Sequence, residues 1–504
     1  FYYIQNDSHK MSTLEETYNI FGDHKVDFLF IDGDHTYDGV KKDYEMYSPL
    51  VRSGGLIAFH DIIEHSPKKN CKVDKLWKEI KHNYNYSEID ENLNAAIITP
   101  DAEIVDNPDK LKIVALAEPN EVFAKTIIEE HNIPKDKIFS DWESLLNNKQ
   151  LAPLLINATN DKTHYFSAIN AMDKGYDVIL EKPIATKPEE CSDILKVAKK
   201  TDRKLWVTHN LRYSTFFETV FSAIQNDYIG EVMSVRHNEN VAFWHMAHSY
   251  VRSPKWNNSG TSAPMILAKS CHDVDILLWV LGKIPDRISS FGSLLHYQES
   301  SKPDKSIPKR CTDGCPVSDD CPYFAPRLYI EGGSPLTLHA TLNINNSKTD
   351  LMNALKTTDY GLCVYHAGNN VVDRQVVNME FDSGPLVTLI MHGHAAEGGR
   401  SMRYDGTKGT LIGKFGPNPY VEITNHKTGE IKRIEIDDSG GQGHGGGDEK
   451  LLDGVIDDLN GIESTTHIVD QTTLAGHLIC FAAEESRLSE GKTINLKEYF
   501  KQFK

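Results

Sequence analysis

The 504 residues carry a formal net charge of −18 and are 39% hydrophobic and 25% charged, the balance of a folded, water-soluble protein. That acidity argues against nonspecific binding to DNA, RNA or anionic membranes, whose surfaces repel it. Mean hydropathy is −0.43, and no run approaches the roughly 20 apolar residues that span a bilayer, so a cytoplasmic protein of several domains is expected. Phe1 stands where a methionine would begin a chain, with no charged-then-apolar leader after it, which suggests a fragment or a processed product. Eight cysteines are too few for a disulfide-built scaffold, and reduced thiols are the cytoplasmic default.

Val26-Asp-Phe-Leu-Phe-Ile31 reads as a strand ending at Asp32, Asp34 and His35, and a helix follows over 37–50. Ser53-Gly54-Gly55 turns the chain into a second strand, Leu56–Phe59, which ends at His60 and Asp61. If the two strand ends meet at one sheet edge, Asp32, Asp34, His60 and Asp61 form a candidate divalent-cation site of oxygen and imidazole ligands. The plainer reading has these residues capping the helices that follow. Phe30-Ile-Asp-Gly-Asp-His-Thr-Tyr37 and Gly54-Gly-Leu-Ile-Ala-Phe-His-Asp61 resemble the later half of a class I S-adenosylmethionine methyltransferase of the small O-methyltransferase-like group. The resemblance covers about residues 15–95 and implies a partial α/β segment. The family's first strand and glycine-rich loop belong upstream of it.

From Leu111 the pattern alternates strand and helix. Lys112–Ala117 is a strand ending at Glu118, Glu121–His131 a helix, and Asp141–Leu146 a short helical turn. Leu154–Thr159 is the next strand, and Lys162–Lys174 a helix closed by Gly175, the expected C-terminal glycine. Then come Val178-Ile-Leu-Glu-Lys-Pro183, a helix over 187–200, and the strand Lys204–Thr208. Such alternation predicts a parallel, doubly wound sheet, whose ligands bind beyond the carboxyl ends of the strands. Lys182 and Glu118 both stand there. An acid at the Glu118 position accepts hydrogen bonds from the ribose of an adenosine and disfavours a 2′-phosphate; the alternative is a helix-capping glutamate.

A glycine-rich phosphate loop should precede that acid by about 20 residues, yet no glycine lies between Asn92 and Leu111. Ala95–Ile98 reads as a remnant first strand, so the nucleotide-binding unit is expected to be incomplete. Gly441-Gln-Gly443-His-Gly-Gly446 fits the G-x-G-x-x-G template but lacks a second strand with a terminal acid behind it. It reads as a flexible loop before a helix from Asp448.

Ala117-Glu118-Pro119, Ile156-Asn-Ala-Thr159 with His164, Glu181-Lys182-Pro183, Asn210-Leu-Arg212-Tyr213 and Cys271-His272-Asp-Val-Asp275 recur in order over residues 107–282. Together they resemble the Gfo/Idh/MocA-type oxidoreductases, the glucose–fructose oxidoreductase and inositol dehydrogenase family. The resemblance implies a nicotinamide-binding Rossmann domain, then an α+β domain with a large open antiparallel sheet that often forms oligomer interfaces. Its implied roles place Glu118 on the adenosine ribose, Thr159, Asn160 and His164 beside the cofactor, and Glu181, Lys182 and Pro183 under the nicotinamide. Lys182 and His272 would bracket the substrate hydroxyl. Many members carry an aspartate four positions before the histidine; here that position is Ala268, with Lys269 beside it. Asp273 or Asp275 is therefore expected to orient His272, with Asp275 counted among the catalytic residues. Arg212, Asp273 and the polar, aromatic run Trp244–Arg252, through His245, His248 and Tyr250, are the candidate substrate contacts.

Cys311-x3-Cys315-x5-Cys321 is one thiolate short of a closed metal site and lacks the usual knuckle spacing, so a structural loop is the expected reading. Leu338–Leu342, Val387–Met391 and Thr410–Ile412 read as strands of the open sheet, and 448–459 and 475–488 as helices. The expected division is a truncated methyltransferase-like segment (1–100), a partial Rossmann domain (107–225) and an α/β substrate and oligomerisation domain (226–504). The leading function is NAD(P)-dependent hydride transfer to or from a small sugar-like or cyclic polyol substrate, with NAD favoured by Glu118, in a homo-oligomer. The alternatives are a metal-assisted, S-adenosylmethionine-dependent O-methyltransferase, and a non-catalytic binding or scaffold protein.

Overall fold

The computed structural model describes residues 8–21, 24–31, 33–59, 72–80, 93–98, 111–332, 338–437, 443–462, 469 and 471–503. The chain divides into two compact units, one of residues 1–92 with 108–110 and one of 93–107 with 111–504. In the first, β1 (Val26–Ile31) and β2 (Val51–Phe59) pair in parallel. The helix Tyr37–Tyr47 begins at Thr36, whose hydroxyl accepts from Gly39 N at 3.1 Å. Ile31, Val40, Val73 and Leu76 form its small core. Asp34 Oδ1 accepts from Thr36 N at 2.9 Å, in the turn just ahead of that helix. Asp32, His60 and Asp61, the other members of the candidate cation site, lie outside the described residues.

The second unit holds two sheets. The first joins β3 (Leu93–Ile98), β4 (Leu111–Ala117), β5 (Ile138–Phe139), β6 (Leu154–Asn157), β7 (Asp177–Leu180) and β8 (Leu205–Val207), all parallel. Their order is β5-β4-β3-β6-β7-β8, the doubly wound arrangement with β3 at the centre, where the strand order reverses. The sheet therefore has its first strand, paired on both sides with β4 and β6. The connection that ought to cradle phosphates, 99–110, lies outside the described residues and contains no glycine. Central strands of a sheet covered on both faces need apolar side chains throughout; Ala115, Leu116, Leu154, Leu155, Val178 and Leu180 are all buried.

Local chemistry sets the helices between these strands. Asn120 caps Glu121–His131 by accepting from Val122 N and Phe123 N, and left-handed Asn132 ends it. Pro188 opens Pro188–Thr201 with Glu189 and Glu190 in the first turn, where the helix dipole favours acids.

The second sheet runs β16-β15-β14-β13-β9-β12-β11-β10-β17. Its strands are β9 (Val232–Ala242), β10 (Arg287–Ser293), β11 (Arg374–Glu380), β12 (Leu386–Ala395) and β13 (Gly399–Gly406). They continue with β14 (Gly409–Phe415), β15 (Tyr420–Asn425), β16 (Ile431–Glu435) and β17 (Ile494–Asn495). The sheet is mixed rather than wholly antiparallel, because β9 and β12 pair in parallel. Helices Cys271–Leu281 and Gln471–Leu488 pack on one face; Phe291, Leu386 and Ile390 stand exposed on the strands. Leu338–Leu342, expected as a strand, is a helix, and its companion Lys348–Thr357 packs with it in a satellite core outside the sheet. A five-residue apolar run does not by itself separate the two periods. No helix among the described residues is long and apolar enough to cross a membrane.

Candidate functional site

Parallel strands bring their carboxyl ends to one edge, so Glu118 after β4, Asn157–Asn160 after β6, Glu181–Pro183 after β7 and Thr208–His209 after β8 share it. Glu118 is buried there; Oε1 accepts from Asn120 N at 2.6 Å, while Oε2 is buried without a partner. Burial pushes its carboxyl up to about 7 against the pull of that hydrogen bond. A buried acceptor lacking a donor fits a ligand hydroxyl. Asn157 Oδ1 accepts from the Thr159 hydroxyl at 2.9 Å, which fixes the turn after β6. His164 staples that turn to the next, with Nε2 2.8 Å from Thr159 O and Nδ1 2.7 Å from Pro183 O. Asn160 is exposed on the same turn.

Lys182 N donates to Thr208 Oγ1 at 3.2 Å, and the Lys182–Pro183 peptide is cis. The Lys182 ammonium crosses from the parallel sheet and donates to Ala268 O at 3.1 Å, just ahead of the helix that begins Cys271-His272. His272 is buried, with Nδ1 unpartnered. Burial and then the positive charge of Lys182 hold its imidazole well below the ordinary range, so it is a neutral proton acceptor.

The acids beside His272 do not serve it. Asp275 is bound by Arg212, with Nε 2.6 Å from Oδ2 and a second guanidinium nitrogen on Oδ1. His209 Nδ1 lies 2.5 Å from the same Oδ1. Arg212, expected to face substrate, is thus the buried counter-ion of Asp275, and Asp275 orients His209 rather than His272. Asp273 points the other way, 2.8 Å from His237 Nε2 and 2.8 Å from Arg400 Nε. Burial alone would raise the Asp273 carboxyl, but Arg400 and His237 hold it below the usual range. Arg400 also meets Glu239 at 2.7 Å, and Lys269 approaches Glu239 at 3.7 Å. Asp273 is therefore the anchor of its helix on β9 and β13, not a substrate contact.

His245, His248 and Tyr250 lie on one segment, whose residues Met246–Arg252 form a π-helical turn. Burial lowers the His245 imidazole, with Lys269, His248 and Lys182 adding to the effect, which puts His245 near the lysine pair. His248 is taken up by Tyr329, whose hydroxyl is 3.0 Å from Nδ1, and by stacking on Tyr360 at 4.7 Å. Tyr250 is buried, with its ring 6.2 Å from Trp256. Of this segment His245 and Tyr250, whose rings lie 5.9 Å apart, remain candidate substrate contacts. Among the described residues no three His, Cys, Asp or Glu side chains are arranged to hold a metal, and Cys311, Cys315, Cys321 and Cys363 are free thiols.

Sequence reasoning missed three histidines here, two that flank His272 and one behind them. His209 lies with its ring 6.2 Å away, His444 at 5.8 Å, and His477 stacks on His209 at 5.4 Å and 10°. His477 Nε2 accepts from Ile184 N at 3.1 Å and Nδ1 is 3.0 Å from Thr473 O, which sets its tautomer as neutral. The available signal was a histidine inside the glycine run 443–447 with Asp448 four residues on.

Burial of neutral histidines carries a stability prediction. Burial holds His248 near about 4 and His477 near about 3, and lowers His245 and His272 as well. Their folded pKa values lie below the unfolded ones, so their contribution is complete above about pH 6.5 and is lost on acidification. Each contributes about 1.4 kcal/mol per pH unit through that window. Glu118, whose pKa is raised, works in the opposite sense, but it is one group against four. The melting temperature should fall steadily between about pH 6.5 and about pH 4.5; a flat profile there would mean these histidines are not buried neutral.

Two related descriptions match this second unit: "Oxidoreductase family, NAD-binding Rossmann fold" over residues 96–209 and "Oxidoreductase family, C-terminal alpha/beta domain" over 222–440. A methyltransferase domain matches residues 4–62. YteT of Bacillus subtilis is 27% identical over 313 residues, 60% of this chain and 71% of that protein. Inositol 2-dehydrogenase/D-chiro-inositol 3-dehydrogenase of Halalkalibacterium halodurans is 27% identical over 34% of this chain, and the match spans 45% of that enzyme. Among solved structures, an oxidoreductase from Agrobacterium radiobacter in complex with NAD+, L-tartaric acid and magnesium shares the fold with a TM-score of 0.56. It is 13% identical, covering 81% of this chain and 99% of that one. The aldose-aldose oxidoreductase of Caulobacter crescentus gives 0.56 at 14% identity over 80% of this chain and 99% of its own.

Proposed function

We propose that this chain, which belongs to the Gfo/Idh/MocA oxidoreductase family, moves hydride between NAD and a ring hydroxyl of a sugar-like or cyclic polyol substrate. The observation that carries this reading is the meeting of the Lys182 ammonium with the helix start that holds neutral His272, at the ligand edge of the parallel sheet. A bound nicotinamide supplies a hydride acceptor at its C4. His272 takes the hydroxyl proton as general base, and Lys182 stabilises charge building on the substrate oxygen. Glu181 and Pro183 shape the floor of the site, stapled in place by His164. His245 offers a further hydrogen bond to the substrate ring.

Glu118 fits the adenosine ribose: its free Oε2 accepts a hydroxyl, and its carboxylate repels a 2′-phosphate. Thr159 and Asn160 flank the cofactor on the next turn. The exposed Phe291, Leu386 and Ile390 offer a sheet face for a homo-oligomer, and the free thiols suit a reducing cytoplasm.

Fluorescence titration with NADH and NADPH tests the reading. NADH should bind more tightly, and more tightly as pH rises from about 6 to about 8, because ribose hydroxyls pair with ionised Glu118. Glu118→Gln should remove that pH dependence and the preference. Failure to bind either dinucleotide would sink the dehydrogenase reading and leave the fold unchanged.

A further inference from the structure

The run Gly443-His-Gly-Gly-Gly447 holds one side chain, and its backbone is unusual. His444 has φ 34° and ψ 32°, followed by Gly445 at φ 66° and Gly446 at φ 77°. A residue with a Cβ adopts this left-handed conformation at a cost of roughly 1–2 kcal/mol, and such positions gather at functional sites. Close packing adjoins it. Gly447 lies so close to the Asn210 turn that a Cβ would come within 2.1 Å of Asn210 O. The tight bend turns the His444 ring toward His272, with centroids 5.8 Å apart and planes inclined by 41°.

His444 is also oriented. Its Nδ1 lies 2.9 Å from Asp448 Oδ2, one helical turn on. Asn210 Nδ2 donates to Asp448 Oδ1 at 2.5 Å and so steadies the carboxylate. With Nδ1–H directed at Asp448, Nε2 keeps a lone pair and can accept a proton. Asn210 Nδ2 is 2.9 Å from His444 Nδ1 as well, but Asp448 Oδ2 can only accept, and the charge-assisted bond to it holds the proton on Nδ1. Exposure separates the two rings. His272 is 4% exposed with Nδ1 buried and unpartnered, while the His444 side chain is 45% exposed. The groups acting on His272 besides His444 are Lys182, Arg400 and His209, none of them a carboxylate able to keep its proton.

We propose that His444 is the outer half of a two-histidine proton relay between His272 and solvent. The proposal rests on the dehydrogenase reading above. In oxidation the substrate carbon loses its hydrogen and both electrons as hydride to the nicotinamide, and its hydroxyl proton passes to His272. The rings are not hydrogen-bonded to one another, so the N–H bond on His272 breaks as one forms on an intervening water, which gives one of its own protons to His444 Nε2. His444 returns to neutrality by giving the proton to a buffer base. Reduction runs the same steps in reverse. Asp448 and Asn210 act as positioning residues.

The test uses the full chain and NAD+ reduction over a panel of sugars and cyclic polyols. His444→Ala should lower kcat on the order of 10²-fold in weak buffer, in the range of lost proton-transfer assistance, with KM little changed. Added imidazole should restore the rate of His444→Ala and not that of His272→Ala. Turnover of His444→Ala at the wild-type rate in weak buffer, or loss without imidazole rescue, overturns the relay while leaving the dehydrogenase reading intact. If the wild type turns over nothing on the panel, the dehydrogenase reading fails, and the relay with it. A second readout needs no turnover: in ¹⁵N-histidine spectra the His272 imidazole, identified by its loss in His272→Gln, should shift in His444→Gln. An unmoved His272 signal means the rings do not communicate and removes the relay.

Discussion

Lys182→Ala is expected to lower kcat/KM by about 10³-fold, with fold and dinucleotide binding retained. The side chain is only partly buried, and among the described residues its ammonium has one hydrogen bond, to Ala268 O. Its removal leaves one carbonyl short of a donor, a cost of about 1 kcal/mol that a chain of this size tolerates. The chemical loss is larger, because Lys182 is the charge acting most strongly on His272. The developing alkoxide then has no counter-charge, and His272 faces an alcohol of unassisted acidity. Lys182→Arg should not rescue it: a guanidinium is planar and broad where an ammonium is compact. Steady-state rates with parallel melting curves decide the matter. Unchanged turnover would remove Lys182 from the chemistry.

Arg400→Met should destabilise the second unit by about 3–5 kcal/mol, the cost of stranding buried charge. Arg400 bridges Asp273 and Glu239, both buried, across β9 and β13. Without it the two carboxylates repel each other, with His237 and Lys269 left to answer them. A fall in melting temperature of about 4–6 °C follows for a body of this size. Asp273→Asn added to Arg400→Met should recover part of that loss, since the substitutions act on one contact and are not additive. Because Asp273 adjoins His272 in the first turn of its helix, the single variant should lower kcat as well. An unaltered melting temperature would mean the network is not buried as described.

The two predictions differ in how far ahead of the structure they could be made. Lys182 was visible from local pattern: an apolar run of strand length, a charged pair and a proline place it at a strand's carboxyl end, and β7 ends just before it. Glu118 was legible for the same reason at the end of β4. Alternating strand and helix periods announced the parallel sheet, and Ala95–Ile98 as its first strand, because those periods are properties of consecutive residues. Leu338–Leu342 marks where that reasoning stops: the run is too short to carry a period, and packing against Lys348–Thr357 made it a helix.

The partners of His272 were beyond local pattern. Asp273 and Asp275 stand two residues apart in one helical turn, so they face different sides, and no count along the chain says which side meets the site. Asp275 meets Arg212 from 63 residues away, and Asp273 meets Arg400 from 127 residues away. His444, 172 positions beyond His272 by number, arrives only because the glycine run folds back on the Asn210 turn. Sequence alone determined the strands, their carboxyl-end residues and the family they resemble, since each depends on neighbours in the chain. Tertiary structure alone decided which acid serves which base, because a buried charge takes its partner from whatever element packs against it.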